Sequence, residues 1–151
     1  MPRPLKMRSV RRPPLYAGFK PTGVQARHLQ DQHLSLDEFE AIRLADFEGL
    51  DHHEAAGRME ISRSTFSRLV ERARHKVARF LIEGRHLKID GGAVHFRGNL
   101  LRCADCGHVV QTAFDVATGS CPECGSTRLD DLADRFGHGR CCRGHGRNRR
   151  R

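Results

Sequence analysis

Four of the six cysteines form two C-x-x-C pairs, and these residues are the best suited in the chain to bind a metal ion. Cys103 and Cys106 lie in "CADCG", Cys121 and Cys124 lie in "CPECG", and 14 residues separate the pairs. Four thiolates at such a spacing can enclose a tetrahedral Zn²⁺ and leave no open coordination position. We therefore predict one structural zinc ion that folds a small module. A redox pair or an iron centre is the alternative.

A second group of nitrogen and sulfur donors lies near the C-terminus, in "HGRCCRGH". Its members are His138, Cys141, Cys142 and His145. Adjacent cysteines do not form an ordinary knuckle, and the glycine-arginine context favours a flexible, solvated segment. The sequence leaves open whether this segment binds a second metal ion.

The charge of the chain indicates an acidic partner. Net charge is +9 and the isoelectric point is about 10.0, which favours nucleic acid, although a basic protein that is merely soluble is the alternative. Counting Lys and Arg against Asp and Glu, residues 1–34 carry +6, 35–62 carry −6, 63–88 carry +6 and 89–151 carry +3. Segregation of this kind is not expected of a surface charged only for solubility.

Several classes of protein are not favoured. No run of about 18 apolar residues predicts a membrane span, and no apolar segment of a signal peptide follows the basic N-terminus. We therefore expect a cytoplasmic protein whose cysteines bind metal rather than form disulfides. We find no nucleophile–base set and no open metal site, so we do not expect an enzyme, and no small-molecule substrate is evident.

Three helix starts follow one another between residues 35 and 62. Ser35 with Glu38 forms a capping box, Asp51 with Glu54 repeats it, and Ser62 caps a long helix that ends near Gly84. A helix of about 13 residues, a short helix, a sharp turn and a long basic helix follow the helix-turn-helix plan. An ordinary three-helix bundle is the alternative. Glu60 occupies the turn position where glycine is common, which predicts a mildly strained backbone there.

The long helix has two chemically distinct faces. At ~100° per residue, an apolar stripe about 120° wide contains Phe66, Leu69, Val70, Ala73, Val77, Phe80 and Leu81. The opposite face carries Ser64, Arg68, Arg72, His75 and Arg79. The first face predicts a core, and the second predicts contact with a polyanion.

In a helix-turn-helix, the N-terminal residues of the third helix approach base edges in the major groove. Here these residues are Arg63, Ser64, Thr65, Ser67 and Arg68. Positions further along are better placed for phosphates, namely Arg72, Arg74, Lys76 and Arg79. The proline-rich N-terminal segment adds Arg3, Lys6 and Arg8, on an arm that could follow the DNA backbone or serve only as a solubilising tail. The acidic first helix should face away from DNA.

The expected organisation is an α+β chain of four parts. Residues 1–30 form a basic, extended, proline-rich arm, and residues 31–86 form the three-helix helix-turn-helix domain. Residues 87–132 form a small β zinc-ribbon-like module, whose "HLKIDGGAVHFRGNLLRC" predicts a hairpin broken at Gly91-Gly92 and Gly98-Asn99. Residues 133–151 are rich in arginine and glycine and form a disordered tail.

The sequence also resembles a known family. The segments "MPRP", "GFKPTGV", "LSLDEFEAIRLADFEGL" and "EAAGRMEISRSTFSRLVERARHKVA", with the paired cysteines, are similar to a family of uncharacterised prokaryotic proteins that begin MPRP. Members are described as predicted DNA-binding proteins with a helix-turn-helix similar to region four of sigma factors. The resemblance is close over about residues 1–90 and looser over the cysteines. Some relatives carry cysteines in the arm, where this chain has Arg11 and Arg12.

Together these observations predict a sequence-specific DNA-binding protein that regulates transcription. Double-stranded DNA is the expected partner, and RNA polymerase or a second copy of the chain are further candidates. The alternative is an RNA- or ribosome-associated zinc-ribbon protein, because zinc ribbons and Arg/Gly tails are common there.

Overall fold

The computed structural model describes residues 6–142, which belong to two compact units. One unit contains the chain up to Val10 together with Tyr16–Val94. The other contains Arg11–Leu15 together with the chain from His95 onward. The chain is a mixture of helix and strand, as the sequence predicts, but the unit boundaries differ from the expected ones at residues 30/31 and 86/87. The predicted contact Arg3 and the histidine at 145 lie outside the described residues.

The helices begin where the capping residues predict. Helix α1 spans Leu36–Ile42, α2 spans His52–Met59 and α3 spans Arg63–Glu83. The N–H of Ser35 donates to Glu38 Oε2 at 3.1 Å, that of Glu54 to Asp51 Oδ1 at 2.8 Å, and that of Thr65 to Ser62 Oγ at 3.2 Å. Each bond satisfies an N–H that has no partner within its helix. Glu60 has φ of 58°, so the predicted strain in the turn between α2 and α3 is confirmed.

Helix α1 continues into a π-helical segment, Arg43–Phe47, which the sequence does not predict. A π turn inserts an extra residue and so rotates the following side chains relative to an α-helix. Leu44 is therefore fully buried, while Phe47 is 85% exposed. An apolar residue at this point of "LSLDEFEAIRLADFEGL" predicts a core contact, and the π turn explains why Phe47 does not make one.

One apolar core holds the three helices together. Ala55, Ala56 and Met59 of α2 meet Phe66, Leu69 and Val70 of α3, with Ala41 and Leu44 from α1 and the π segment. Small alanines let the helices approach closely. The predicted stripe on α3 is buried only over its first half, since Leu81 is 67% exposed.

A three-stranded sheet joins the two ends of the helical segment. Strand β4 (His86–Ile89) lies between β2 (Gly18–Phe19) and β3 (Asp31–Leu34), parallel to β3 and antiparallel to β2. Parallel strands need a long crossover, and all three helices provide it. A side chain at position 18 would place its Cβ 2.9 Å from the Leu87 carbonyl oxygen, so the β2–β4 approach requires Gly18.

The N-terminal arm and the hairpin after residue 85 differ from expectation. In β1 (Arg8–Val10), Ser9 and Val10 are buried, and the Arg8 N–H donates to the Ala93 carbonyl at 2.8 Å. Strand β4 pairs with β2 and β3 rather than with the strand that follows it. From Arg8 onward the arm is therefore part of the fold. Its short strands β1 and β2 pair with strands that come later in the chain.

The second unit contains a three-stranded antiparallel sheet. Strand β6 (Asn99–Cys103) lies between β7 (Val109–Thr112) and β8 (Leu129–Asp131). The buried Asn99 side chain donates to Asp131 Oδ1 at 2.7 Å and accepts from the Ala133 N–H at 3.0 Å. These bonds fix helix α4 (Leu132–Arg135) to β6.

The start of the predicted disordered tail is also part of this fold. Ala133 is fully buried and Cys142 is 5% exposed, so residues 133–142 are folded onto the second unit. The hydrogen bonds of Asn99 and the buried apolar side chains of α4 stabilise this segment. The arginine- and glycine-rich composition of the segment does not predict these contacts. The remainder of the predicted tail, 143–151, lies outside the described residues. Within residues 6–142, no helix combines the length and apolarity needed to cross a lipid bilayer.

Replacing Phe66 by alanine should lower the free energy of unfolding by about 3–5 kcal/mol, because a fully buried ring leaves a cavity. Urea denaturation followed by circular dichroism measures this loss. Leu81→Ala is the matched control on the same helix, and it should change stability little because the side chain is exposed. Equal losses for the two variants would show that this core does not hold α3.

Candidate nucleic-acid interface and metal centre

The exposed face of α3 lines an open groove of about 830 Å³. We call it the basic groove. Six of the predicted DNA contacts line it: Arg8, Thr65, Arg68, Arg72, Lys76 and Arg79. Gln32, Glu71 and His75 complete the lining. Of these three, only His75 belongs to the predicted polar face of α3.

Three arginines of α3 form no ion pair within residues 6–142. Arg63, Arg68 and Arg72 are exposed, and within the described part of the chain their side chains form no ion pair or hydrogen bond. No carboxylate of residues 6–142 forms an ion pair with them, although Glu71 lines the same groove as Arg68 and Arg72. At ~100° per residue Arg63 lies about 180° from Arg72 around the helix, outside that groove. Bare guanidinium groups can bind phosphate or base edges through paired hydrogen bonds.

The other predicted basic contacts are held by carboxylates. Lys76 Nζ donates to both oxygens of Glu38, at 2.9 and 2.8 Å. Arg74 binds Asp46 through two hydrogen bonds of 3.0 and 2.7 Å, and this holds the pKa of the Asp46 carboxyl below its usual value.

Arg8 and Arg79 are also paired, the former with Asp37 at 2.5 Å and the latter with Glu83 at 3.8 Å. The pairings of Lys76 and Arg74 could not be predicted from the sequence, because their partners lie 38 and 28 residues away in the chain, whereas Arg79 and Glu83 are an i,i+4 pair. The predicted contacts thus divide into an unpaired set and a paired set.

Part of the acidic block of the sequence is internal, while Asp46, Asp51, Glu54 and Glu60 are exposed. Asp37, Glu38 and Glu40 are 7%, 4% and 2% exposed. Glu40 forms an ion pair with Arg43, whose other contact is Glu48. Instead of forming an acidic outer face, these carboxylates compensate basic side chains within the first unit.

The hydroxyl groups at the start of α3 are mostly occupied by the helix itself. Ser62 Oγ donates to Thr65 Oγ1 at 2.8 Å, and Ser67 Oγ donates to the Arg63 carbonyl at 3.0 Å. Ser67 Oγ also lies 2.8 Å from His52 Nδ1. Ser64 is exposed, 3.3 Å from Ser62 Oγ, and Lys6 is exposed as well. Of the predicted hydroxyl contacts, Ser64 is the most accessible to a ligand.

The four predicted zinc ligands come together in the second unit. Their Sγ atoms all lie within 4.8 Å of one another, with Cys103–Cys124 at 3.5 Å and Cys106–Cys121 at 3.6 Å. Four thiolates around a tetrahedral Zn²⁺ stand about 3.8 Å apart, given Zn–S bonds of about 2.3 Å. The separations and the donor set are therefore compatible with a structural zinc site.

The two cysteine pairs have the same backbone construction. Gly107 and Gly125 have φ of 76° and 75°, and their N–H groups donate to the Cys103 and Cys121 carbonyls at 3.0 and 2.8 Å. A hydrogen bond from the backbone N–H of Cys106 lowers the pKa of the Cys103 thiol to about 7. Such N–H donation stabilises a thiolate, the form that binds metal. The two pairs therefore share the backbone geometry of a metal knuckle.

The second predicted donor set is only partly assembled. Cys141 and Cys142 lie close to His95, a residue that the sequence pattern does not predict as a metal ligand. His95 stands 46 residues before Cys141, so no local pattern connects them.

Comparison with known proteins gives relatives across the whole chain. The family model described as "Protein of unknown function DUF134" matches residues 1–97. A UPF0251 protein of Chloroherpeton thalassium is 47% identical over all of this chain and 97% of its own length. A UPF0251 protein of Moorella thermoacetica is 43% identical over 97% of this chain and 96% of its own. No solved structure matches.

Replacing Lys76 by alanine should lower the free energy of unfolding by about 1–3 kcal/mol, because the Glu38 side chain, 6% exposed, loses its cation. Chemical denaturation measures the change. Arg72→Ala on the same helix is the control and should stay within about 0.5 kcal/mol, because Arg72 has no acidic partner to strand. Adding Glu38→Gln to Lys76→Ala should restore part of the loss. A neutral Lys76→Ala would show that the pair does not support the fold.

Proposed function

The chain belongs to the DUF134 family of proteins of unknown function, and we propose that it is a sequence-specific DNA-binding protein that regulates transcription. The observation that carries the proposal is that Arg68 and Arg72 form no ion pair with any described residue and share the face of α3 that lines the basic groove, while Arg63, also without such a pair, is exposed at the N-terminus of the helix. Arg8, Arg74 and Lys76 are paired with carboxylates. Arg63, Arg68 and Arg72 are therefore the cations of this region most available to a polyanion.

The geometry of the helices supports a helix-turn-helix. Helix α2 ends at Met59, the turn passes through left-handed Glu60, and α3 begins at Arg63 on the far side of a shared core. In this arrangement the second helix of the motif enters the major groove, and its N-terminal residues face base edges. We propose on this basis that the motif is of the type found in region four of sigma factors.

The pairing pattern assigns different roles to the basic residues. Arg63 and Arg68 stand in the first two turns of α3, where a guanidinium group can reach guanine O6 and N7. Arg72 stands one turn further on and is suited to a phosphate. Glu71 lies in the basic groove between them, and a carboxylate there repels phosphate but can accept from cytosine N4.

We also propose that the four-cysteine cluster binds one Zn²⁺ ion as a structural centre. Its four ligands fill the tetrahedral coordination shell, so the ion would stabilise the module and catalyse no reaction. The short strands β6, β7 and β8 offer little apolar surface of their own, which makes the metal the main source of stability for this unit. The chain then has a binding role and no reaction of its own.

Selection of bound sequences from a random duplex pool tests the proposed function directly. We expect enrichment of a defined site, and a palindromic site would indicate that two copies bind together. Competition with a structured RNA provides the control. Tighter binding to RNA, with no enriched duplex, would favour an RNA- or ribosome-associated role.

Arg68→Ala should weaken binding to the selected site by about 1–3 kcal/mol and relax the preference at one base position, because a bidentate base contact is lost. Binding titrations on the selected site and on scrambled DNA measure this. Arg79→Ala should weaken binding to the selected site and to scrambled DNA by the same factor and lower the salt dependence of binding, because it removes only a charge near the DNA backbone.

Arg58→Ala is the matched control for this experiment. Arg58 lies on α2 outside the lining of the basic groove, and forms long ion pairs of 3.8 Å with Glu48 and 3.7 Å with Glu54. It should leave both affinities nearly unchanged. If Arg68→Ala loses the same factor on selected and scrambled DNA, α3 is a basic surface and does not read sequence.

Cys121→Ser should remove one equivalent of zinc per chain and unfold the β6–β8 sheet, because three thiolates cannot close the site. Metal analysis and amide NMR signals of residues 99–131 are the measurements, and the signals of α1–α3 should persist. Ser120→Ala, next to the ligand and exposed, is the control. Retention of the sheet in a strong chelator would contradict a structural role for the metal.

A further inference from the structure

The second unit contains another cluster of metal-binding side chains, distant in sequence from the four cysteines of the knuckles. His95 lies in strand β5 (Val94–Phe96), and Cys141 and Cys142 lie in the turn that follows α4. One donor atom from each of the three residues lies within 4.8 Å of the other two. Imidazole and thiolate are the donors that Zn²⁺ prefers.

The backbone of the C-terminal turn brings its donors to one side. The N–H of His138 donates to the Ala133 carbonyl at 3.0 Å, and that of Cys142 donates to the His138 carbonyl at 3.3 Å. His138, Cys141 and Cys142 are therefore spaced three and four residues apart on a helix-like turn, so their side chains share a face. Gly137, with φ of 78°, makes the reversal that leads into this turn.

The distances within the cluster suit a shared ion. The Sγ atoms of Cys141 and Cys142 are 3.6 Å apart, and His138 Nδ1 lies 3.2 Å from Cys141 Sγ. On a tetrahedral Zn²⁺, two thiolates stand about 3.8 Å apart, and a thiolate and an imidazole nitrogen about 3.6 Å apart. Adjacent cysteines, which do not form a knuckle, can thus still direct both sulfurs to one ion.

The surroundings of Cys142 resemble those of a metal-bound thiolate. The backbone N–H of Phe96 donates to its Sγ at 3.3 Å, and both residues are nearly fully buried. The ring of Phe96 packs edge-on against His138, with the ring centroids 5.1 Å apart, and so restricts the orientation of that imidazole. In a metal site, hydrogen bonds to the ligands and packing around them fix the orientation of the ligands.

We propose that His95, Cys141 and Cys142 bind a second Zn²⁺ ion. The fourth position is assigned to His138, whose Nδ1 lies near Cys141 Sγ but outside the set of donors that are all within 4.8 Å of one another. Two thiolates and two imidazoles would close the coordination shell and make the site structural. The set differs from the one suggested by sequence, because His95 takes the place of His145. An ion there would tie β5 to a turn about 46 residues later, and closing such a loop stabilises the ordered C-terminal segment.

Metal analysis of the full-length protein, purified without added chelator, tests the proposal. We expect two equivalents of zinc per chain, and one equivalent after the double change Cys141→Ser/Cys142→Ser. Two changes serve as matched controls and should retain both equivalents: Arg140→Ala, which alters an exposed residue of the same turn, and His145→Ala, which removes the donor that only the sequence pattern suggested.

Cobalt substitution separates this site from the four-cysteine cluster. The Cys141→Ser/Cys142→Ser protein loaded with Co²⁺ should keep the sulfur-to-cobalt charge-transfer intensity of four thiolates. The decrease in charge-transfer intensity between the wild type and this variant should be that of a site with two thiolates and two nitrogens. No decrease would contradict the proposal.

Two results would overturn the proposal. One is a single zinc equivalent in the wild type that persists when Cys141 and Cys142 are both changed to serine. The other is a Cys141–Cys142 disulfide, detected by mass spectrometry in protein prepared without oxygen. Because the Cys141→Ser/Cys142→Ser change leaves all four knuckle cysteines in place, failure of the proposed knuckle site would be distinguishable from failure of this one.

Discussion

Three carboxylates of helix α1 lie out of water, and each needs a cation close by. A buried carboxylate without a partner costs several kcal/mol or takes up a proton, so Asp37, Glu38 and Glu40 constrain their neighbours. Arg8 from the N-terminal segment, Lys76 from α3 and Arg43 from the π segment meet this need. Charge compensation therefore joins three distant parts of the first unit, and it decides which basic residues remain for a polyanion.

The same constraint explains why net charge is a poor guide to the binding surface. Residues 63–88 carry the same +6 as residues 1–34, yet part of each block is used inside the fold. What remains on α3 is a short set of guanidinium groups at its N-terminal half. Of these, Arg68 and Arg72 line the basic groove together with Arg8 and Gln32, so the N-terminal segment shapes the groove without being a free arm.

Local features of the fold could be predicted from sequence, and features that need distant partners could not. The caps at Ser35, Asp51 and Ser62, the turn at Glu60 and the cysteine knuckles depend on a few neighbouring residues, so the pattern alone identifies them. The π turn that exposes Phe47 and the pairing of β4 with β2 and β3 depend on tertiary packing. His95 belongs to the same class, because an isolated histidine has no recognisable spacing to cysteines that lie 46 residues away.

The parallel pairing of β3 with β4 has a consequence for how the chain acquires its structure during synthesis. Leu34 pairs with Ile89, which the ribosome adds 55 residues later. The helices can form as they emerge, but the sheet that closes the first unit cannot form until residue 89 has left the exit tunnel. A nascent chain that stopped at residue 86 would hold three helices and expose the unpaired edge of β3, a surface prone to association with other chains. The helical segment is therefore not an independent folding module. The first unit can complete its folding only after strand β4, which follows α3, has been synthesised.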